Sequence, residues 1–435
     1  MDKPSISVIG LGKLGLPIAL CLREAGYRVI GLDLNEDLLN KIEGNTCPYY
    51  EANLAEYMTK YHMVTSHSYV DTILNTDISF IIVPTPSNPE GDFSNKYIES
   101  AIRSIGGELK KKTSYHLVVI NSTVMPGTTE KMGKILKEYT NNFGICYNPE
   151  FVALGNVIHD FKNPDLVLIG ESDKKAGDIL QILYDPGLIL MVSSRMKRMS
   201  LWNAEVAKIA LNAYLTMKMS FANILAEICE EIPGGNVDDI TEAIGLDSRI
   251  GRKYLKGALA YGGPCFPRDN RAFMYFAKNS EKVLAEATDE VNRLQQIRLS
   301  ELVVRILGGT KGKKVAILGC TYKPDSDLVD ESVVLDLVEH LVELGVEVSL
   351  HDPAGSENAK KILGDICEYE TDKLLCMADS DLVIVAVPWS EYKSLKPEDF
   401  NAMIPCPVVL DCWRIYDGEE FREAGIEYHA IGINK

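Results

Sequence analysis

Six residues near the start of the chain, Gly10-Leu-Gly-Lys-Leu-Gly15, limit the fold more than any other feature. An apolar run, Ser5-Ile-Ser-Val-Ile9, precedes them and reads as a buried parallel strand. An apolar helical pattern from Leu14 to Ala25 follows and stops at Gly26; a second strand, Arg28 to Asp33, comes next. This order is a βαβ unit, because parallel strands need a crossover between them. Further strands are expected at Ser79–Val83, Leu117–Asn121 and Leu166–Ile169, alternating with helical patterns. The first part of the chain should therefore be a doubly wound, Rossmann-like α/β sheet.

A lone G-x-G-x-x-G carries little information. Here it closes a strand, opens a helix, and is followed by Asp33 at the end of the next strand, the context that dinucleotide binding requires. Gly10 permits the tight turn, Gly12 lets the backbone approach a pyrophosphate, and Gly15 allows close packing of helix on strand. Leu14 and Gly15 open the helix whose N-terminus would hold the anion. Asp33 can accept hydrogen bonds from ribose hydroxyls and would repel a 2′-phosphate, so NAD is expected rather than NADP. The competing reading is a glycine turn without ligand. Two more loops fall at strand ends: Val83-Pro84-Thr85-Pro86, and Asn121-Ser122-Thr123-Val124-Met-Pro-Gly127. They suit a cofactor wall and equally suit ordinary turn chemistry, and the residues alone do not separate the two.

At 435 residues the chain is too long for one core, and two or three domains are expected. The net charge of −17 argues against nucleic acid or an acidic membrane as partner, since phosphate backbones need a basic footprint. An anionic substrate would need a locally basic pocket. The ten cysteines show no CxxC pair and no regular spacing. The chain opens Met-Asp-Lys-Pro without the pattern of a secretory leader, and no apolar stretch reaches membrane-span length. Reduced, mostly buried thiols in the cytoplasm are the expectation.

From Ser200 to Glu231 helix formers run without a breaker until Pro233, which predicts one long helix, over ~40 Å, able to offer a dimer surface. Val237 to Leu307 reads as mostly helical except for a glycine-rich loop. At Lys311 the pattern resets, and Val315–Gly319, Val346–Leu350, Leu382–Val387 and Val408–Leu410 read as strands of a second, smaller Rossmann-like domain. Its first turn, Gly319-Cys-Thr-Tyr-Lys-Pro324, lacks the fingerprint. The expected domains are 1–198 (NAD-binding), 199–307 (central, all-helical, with the long helix and the dimer surface) and 308–435 (C-terminal).

Within the glycine-rich loop lies Tyr261-Gly262-Gly263-Pro-Cys265-Phe-Pro-Arg268-Asp269. Glycines that leave room for a substrate, together with the basic Arg268, suit a thiol acting as nucleophile. Lys208 and Asn212 stand at i and i+4 of the long helix, so they point one way and could stabilise an oxyanion. By themselves they read better as a solvated lysine and a helix-surface asparagine.

Taken together, these residues resemble the UDP-glucose/GDP-mannose dehydrogenase family over nearly the whole chain. The resemblance rests on GLGKLG, Val83–Pro86, Ser122-Thr123-Val124, Asn148-Pro-Glu150-Phe151, Lys208 with Asn212, the loop Arg249 to Asp269, and Tyr322-Lys323-Pro-Asp325. It implies NAD-dependent, four-electron oxidation of the C6 alcohol of a nucleotide sugar, in which Cys265 traps the aldehyde as a thiohemiacetal and then holds a thioester. It implies further that Glu150 and Asp269, with Thr123 through water, handle protons, and that Lys208 and Asn212 stabilise the oxyanion. Cofactor contacts carried over include Pro84, Thr85, Ser122, Thr123 and Arg268. Substrate contacts include Phe151, Tyr254, Lys256, Tyr261, Gly262, Tyr322, Lys323 and Trp413. Arg249 matches a residue that reaches into a partner subunit's site, which implies a homodimer. The resemblance implies no metal.

Three positions depart from the family pattern. Leu154-Gly155 stands where Glu-Gly is common; Asp330 precedes Glu331-Ser332 where arginine is common; and Asp411-Cys-Trp413-Arg414 stands where Asp-Gly-Arg is common. Trp413 stacking on the substrate, or Arg414 substituting for the missing arginine, would alter sugar selection. UDP-glucose is the first expectation for the sugar, ahead of a UDP-N-acetylhexosamine or GDP-mannose. A non-catalytic nucleotide-sugar or NAD sensor, and a one-step hydroxy-acid dehydrogenase, are the readings in other classes. Neither explains Cys265, and the second leaves 311–435 without a purpose.

Overall fold

The computed structural model describes residues 3–184 and 196–434, and packing divides the chain into two compact units, 1–211 and 212–435. The first is built on eight strands: β1 Ile6–Ile9, β2 Val29–Leu32, β3 Val64–Ser66, β4 Ile78–Ile81, β5 His116–Ile120, β6 Phe143–Tyr147, β7 Val167–Glu171 and β8 Met196–Ser200. Their order is β3-β2-β1-β4-β5-β6-β7-β8, with every pair parallel except β6–β7. The central strands are buried on both faces, and their side chains alternate strictly. Val8, Phe80 and Val119 face one apolar layer, while Ile9, Ile81 and Ile120 face the other.

The doubly wound sheet agrees with the sequence pattern, with two additions. The β6–β7 pair is antiparallel, so the sheet is mixed, a detail the sequence pattern did not specify. Three strands escape the pattern: β3 has only three residues, the apolar run of β6 is interrupted by Gly144, and β8 reads Met-Lys-Arg-Met-Ser at the sheet edge.

The long helix spans Leu201–Glu231, within one residue of its predicted limits. The second unit adds helices Val237–Gly245, Phe266–Phe276 and Val283–Leu307. It also holds a six-stranded parallel sheet: β9 Lys314–Leu318, β10 Glu347–His351, β11 Glu368–Tyr369, β12 Leu382–Val385, β13 Val408–Asp411 and β14 Tyr428–Ala430. Strand order β11-β10-β9-β12-β13-β14 repeats the doubly wound plan. The edge strands β11 and β14 were not legible; they have two and three residues. Among the described residues, no helix is long and apolar enough to cross a membrane.

Candidate active site

The glycine turn leaves β1 as the fingerprint requires. Gly10 has φ +94°, and a Cβ there would lie 2.2 Å from the carbonyl oxygen of Ile82; at Gly15 it would lie 1.9 Å from that of Gly10. Neither position tolerates a side chain. At Gly12 a Cβ would meet no atom within 4 Å, so the space above this backbone is open. Helix Gly15–Glu24 begins at Leu14 with no side-chain cap and no acid in its first turn, which leaves its positive end for an anion. The Asp33 carboxylate is fixed at the end of β2 by Leu11 N–H (2.7 Å) and Asn35 N–H (2.9 Å). These residues fit a dinucleotide: pyrophosphate over Gly12 and the helix N-terminus, ribose at Asp33. NAD, when bound there, supplies the two-electron acceptor.

The two wall loops are interlocked. Ser122 Oγ accepts from Val83 N–H (2.9 Å) and donates to Val83 O (2.7 Å), and Thr85 Oγ1 donates to Thr123 O (2.9 Å). Pro84 lies between, with no N–H to satisfy.

On the neighbouring loop, Lys208 Nζ donates to the Glu150 carbonyl (2.7 Å) and lies 4.6 Å from the centre of the Phe151 ring. The Glu150 carboxylate accepts from Asn121 Nδ2 (3.2 Å). Burial pushes the Glu150 carboxyl up to about 7, against the opposing pull of Lys208 and the Asn121 bond. A carboxyl poised there can take or give a proton near neutrality.

One anchoring residue was not legible in the sequence. Glu205, fully buried on the long helix, accepts from Gly127 N–H (2.6 Å) and Thr129 N–H (2.7 Å), capping helix Thr128–Lys137. It thereby fixes the far end of the loop that carries Thr123. Its signal was its spacing: Glu205, Lys208 and Asn212 stand at i, i+3 and i+7, on one helix face.

In the second unit, Asn212 Nδ2 donates to Asp269 Oδ2 (2.6 Å), and Asp269 is 1 % exposed. Arg268 Nε lies 3.5 Å from the other carboxylate oxygen. Cys265 is the exposed N-cap residue of helix Phe266–Phe276, and its carbonyl accepts from Asp269 N–H (2.8 Å).

The two glycines before Cys265 serve a purpose other than the one expected. A Cβ on Gly262 would lie 2.2 Å from the Glu331 carbonyl oxygen, and one on Gly263 (φ +84°) would lie 2.4 Å from the Tyr322 ring. Gly263 N–H donates to Asp330 O (2.9 Å). The space left by the missing side chains is therefore filled by protein, and it seats the Cys265 loop on the Tyr322–Glu331 segment. Asp330 takes part through its backbone, whatever its side chain. Farther back the loop is held by Asn292, which pairs with both the N–H and the carbonyl of Tyr261 (2.7 and 2.9 Å), and by Asn223, which accepts from Ala258 N–H (2.9 Å). Both asparagines are buried on helices and gave no motif to find.

Around this loop, Tyr254 (φ +61°) sets its ring edge-on to Phe266, and Lys323 Nζ lies 5.8 Å from the centre of the Tyr322 ring. Lys256 is exposed, and Arg249, exposed as well, pairs with Asp247 of its own loop (2.6 Å). The Trp413 indole N–H donates to Ala386 O (2.8 Å), which commits its polar edge to the fold. Arg414 is held by both Asp238 oxygens (2.7 and 3.1 Å) and by Ile431 O (2.7 Å), so its guanidinium does not stand in for the missing arginine.

The repeat in the second unit carries an acid in the corresponding place: Asp352 follows β10 as Asp33 follows β2. Its carboxylate, however, is filled by the chain. It accepts from the N–H groups of Cys320 (2.8 Å), Thr321 (3.1 Å), Ala354 (2.9 Å) and Gly355 (2.7 Å), and from the Trp389 indole (3.2 Å). The absent fingerprint and the occupied acid agree.

An open glycine turn with an acid at the end of the next strand, and an exposed cysteine at a helix N-terminus, define an NAD-binding nucleotide-sugar dehydrogenase when set beside known proteins. The chain belongs to the UDP-glucose/GDP-mannose dehydrogenase family: residues 4–188 match its NAD binding domain, 202–294 its central domain and 316–418 its UDP binding domain. Similar relatives include the UDP-glucose 6-dehydrogenase TuaD of Bacillus subtilis, 32% identical over 98% of this chain and 93% of that protein. The UDP-glucose 6-dehydrogenase AglM of Haloferax volcanii is 33% identical over 98% and 99%. Among solved structures, a UDP-glucose dehydrogenase from Pyrobaculum islandicum is 32% identical with a TM-score of 0.90, covering 99% of this chain and 98% of that one.

Proposed function

We propose that this enzyme oxidises the C6 alcohol of a UDP-sugar, UDP-glucose first, to the carboxylate in two NAD-dependent steps. The observation that carries the reading is Cys265, an exposed thiol at a helix N-terminus, with Asp269 one turn further along that helix and bonded to Asn212. Names of relatives at 32–33% identity favour glucose, and the match to a UDP binding domain favours uridine.

In this reading Glu150 removes the C6 hydroxyl proton, directly or through a water on Thr123, as the first electron pair leaves. The Cys265 thiolate then adds to the aldehyde carbon, and Lys208 and Asn212 steady the oxygen that gains charge. Oxidation of the thiohemiacetal leaves a thioester. Water, deprotonated with help from Asp269 or Glu150, breaks the C–S bond, releasing the carboxylate and restoring the thiol. Phe151, Tyr254, Lys256, Tyr261, Gly262, Tyr322, Lys323 and Trp413 are the substrate contacts, and Lys208, Lys256 and Lys323 supply the positive charge a diphosphate needs. The cofactor contacts are Gly10, Gly12, Leu14, Gly15, Asp33, Pro84, Thr85, Ser122, Thr123 and Arg268. Domain limits near 199 and 308 go with this assignment.

The working form is proposed to be a homodimer. Tyr214, Phe221, Ile224, Ile228 and Ile232 are all well exposed, and they follow one another at helical spacing along and just beyond the long helix. An apolar stripe of this kind is a sign of an interface, and in the proposed dimer the exposed Arg249 would leave Asp247 to reach the second subunit.

The test is NADH yield per sugar across a panel of UDP- and GDP-sugars. Two NADH per UDP-glucose supports the reading. One NADH removes the thioester route, and turnover only with another sugar replaces the substrate.

A further inference from the structure

A short segment ahead of the first predicted wall loop touches both halves of the first unit's chemistry. The Tyr49 hydroxyl donates to the carbonyl of Gly12 (2.9 Å), the glycine above which the cofactor space lies open. That carbonyl also accepts the Leu16 N–H (3.2 Å), so Tyr49 grips the turn where the helix begins. Two residues on, Glu51 turns to the other loop. Its two carboxylate oxygens accept from Gly155 N–H (2.9 Å) and Ile158 N–H (3.4 Å), and Ala52 N–H returns a bond to Gly155 O (3.1 Å).

Gly155 sits at φ +91° in the turn that ends the run Asn148-Pro-Glu150-Phe151. Glu51 is only 7 % exposed. Burial and the nearby Glu51 carboxylate push the Tyr49 phenol far up, so it stays a donor. Three residues span at most about 10 Å of chain, too short to absorb a shift at one end without passing it on.

We propose that Tyr49 and Glu51 are positioning residues, a strap that ties the dinucleotide turn to the Glu150 loop, so that cofactor binding orders the proton-transfer loop. This rests on the reading of Glu150 given above. Neither residue touches the reacting atoms in that reading; each acts through a backbone it holds.

The experiment combines amide hydrogen exchange of residues 151–158, with and without NAD, with NAD affinity and the pH profile of kcat/KM. Wild type, Tyr49→Phe and Glu51→Gln are compared. In wild type, NAD should slow exchange in the loop several-fold. In Tyr49→Phe, which removes one hydroxyl bonded to Gly12 rather than to that loop, the slowing should be lost even at saturating NAD. Glu51→Gln, which does not touch the glycine turn, should weaken NAD binding about 3- to 10-fold and displace the pH midpoint. Equal slowing in wild type and Tyr49→Phe, or no slowing in wild type, overturns the strap. If Glu51→Gln does not fold, Tyr49→Phe decides alone. Exchange and NAD affinity need no turnover, so a wild type that oxidises no UDP-sugar would count against the proposed function while these readouts still judged the strap.

Discussion

Single side chains carry the sharpest expectations. Cys265→Ser should keep NAD binding and lose carboxylate formation, because a serine hydroxyl stays protonated at neutral pH and is then a poor nucleophile, and an ester hydrolyses more slowly than a thioester. Full yield of two NADH per sugar from this variant would end the covalent route. Glu150 sets the pH dependence. Its carboxyl titrates at about 7 in the folded protein, against an ordinary value of 4.5. As the base of the proposed mechanism it must be ionised, so kcat/KM should rise through a midpoint near 7, and Glu150→Gln should lack that limb. The same shift has a stability sign: the folded state binds the extra proton between pH 4.5 and 7, so stability falls as pH rises across that window. Thermal melts of wild type and Glu150→Gln should therefore converge at low pH and separate above pH 7, with the glutamine variant the more stable. Asp33→Ala should weaken NAD binding and narrow the preference over NADP, as read by the ratio of the two kcat/KM values.

At the scale of elements, the cap that Glu205 places on helix Thr128–Lys137 is the most exposed to test. Glu205→Ala leaves two N–H groups without their acceptor, a loss of about 1–3 kcal/mol. The melting midpoint should drop by several degrees, and activity should fall further than stability because the Thr123 loop loosens with it. Glu205 also shows what the sequence could and could not reveal. The absence of a breaker before Pro233 located the long helix, since an uninterrupted run of 31 residues rich in helix formers suits a helix best. The fingerprint located Gly10, Gly12, Gly15 and Asp33, since each answers a backbone requirement written in residue type. Residues that work by holding another loop's backbone left no such mark: Glu205, Asn223, Asn292, Glu51 and Tyr49 find their partners far away in sequence. The purpose of Gly262 and Gly263 was misread for the same reason, because what fills their missing side chains comes from residues 322 and 331. Short polar edge strands such as β8 and β11 stayed hidden because strand pattern is a pattern of burial, and edges have little of it.

For the whole molecule, the apolar stripe on the long helix predicts assembly. Phe221→Asp with Ile228→Asp should halve the solution mass seen by light scattering and leave the far-ultraviolet spectrum intact; an unchanged mass would place the interface elsewhere. The two doubly wound sheets carry a different lesson. In the C-terminal one, Asp352 is filled by six donors of the chain itself, with the Trp389 indole among them, so among the described residues a single dinucleotide seat remains. In the proposed reaction, two oxidations of one sugar then draw on that seat in turn. The spent carrier has to depart and a fresh one arrive while the half-oxidised sugar waits. Its residence time must outlast an entire exchange of its neighbour, a demand that weak binding of an aldehyde meets only in part and a carbon–sulfur bond meets in full.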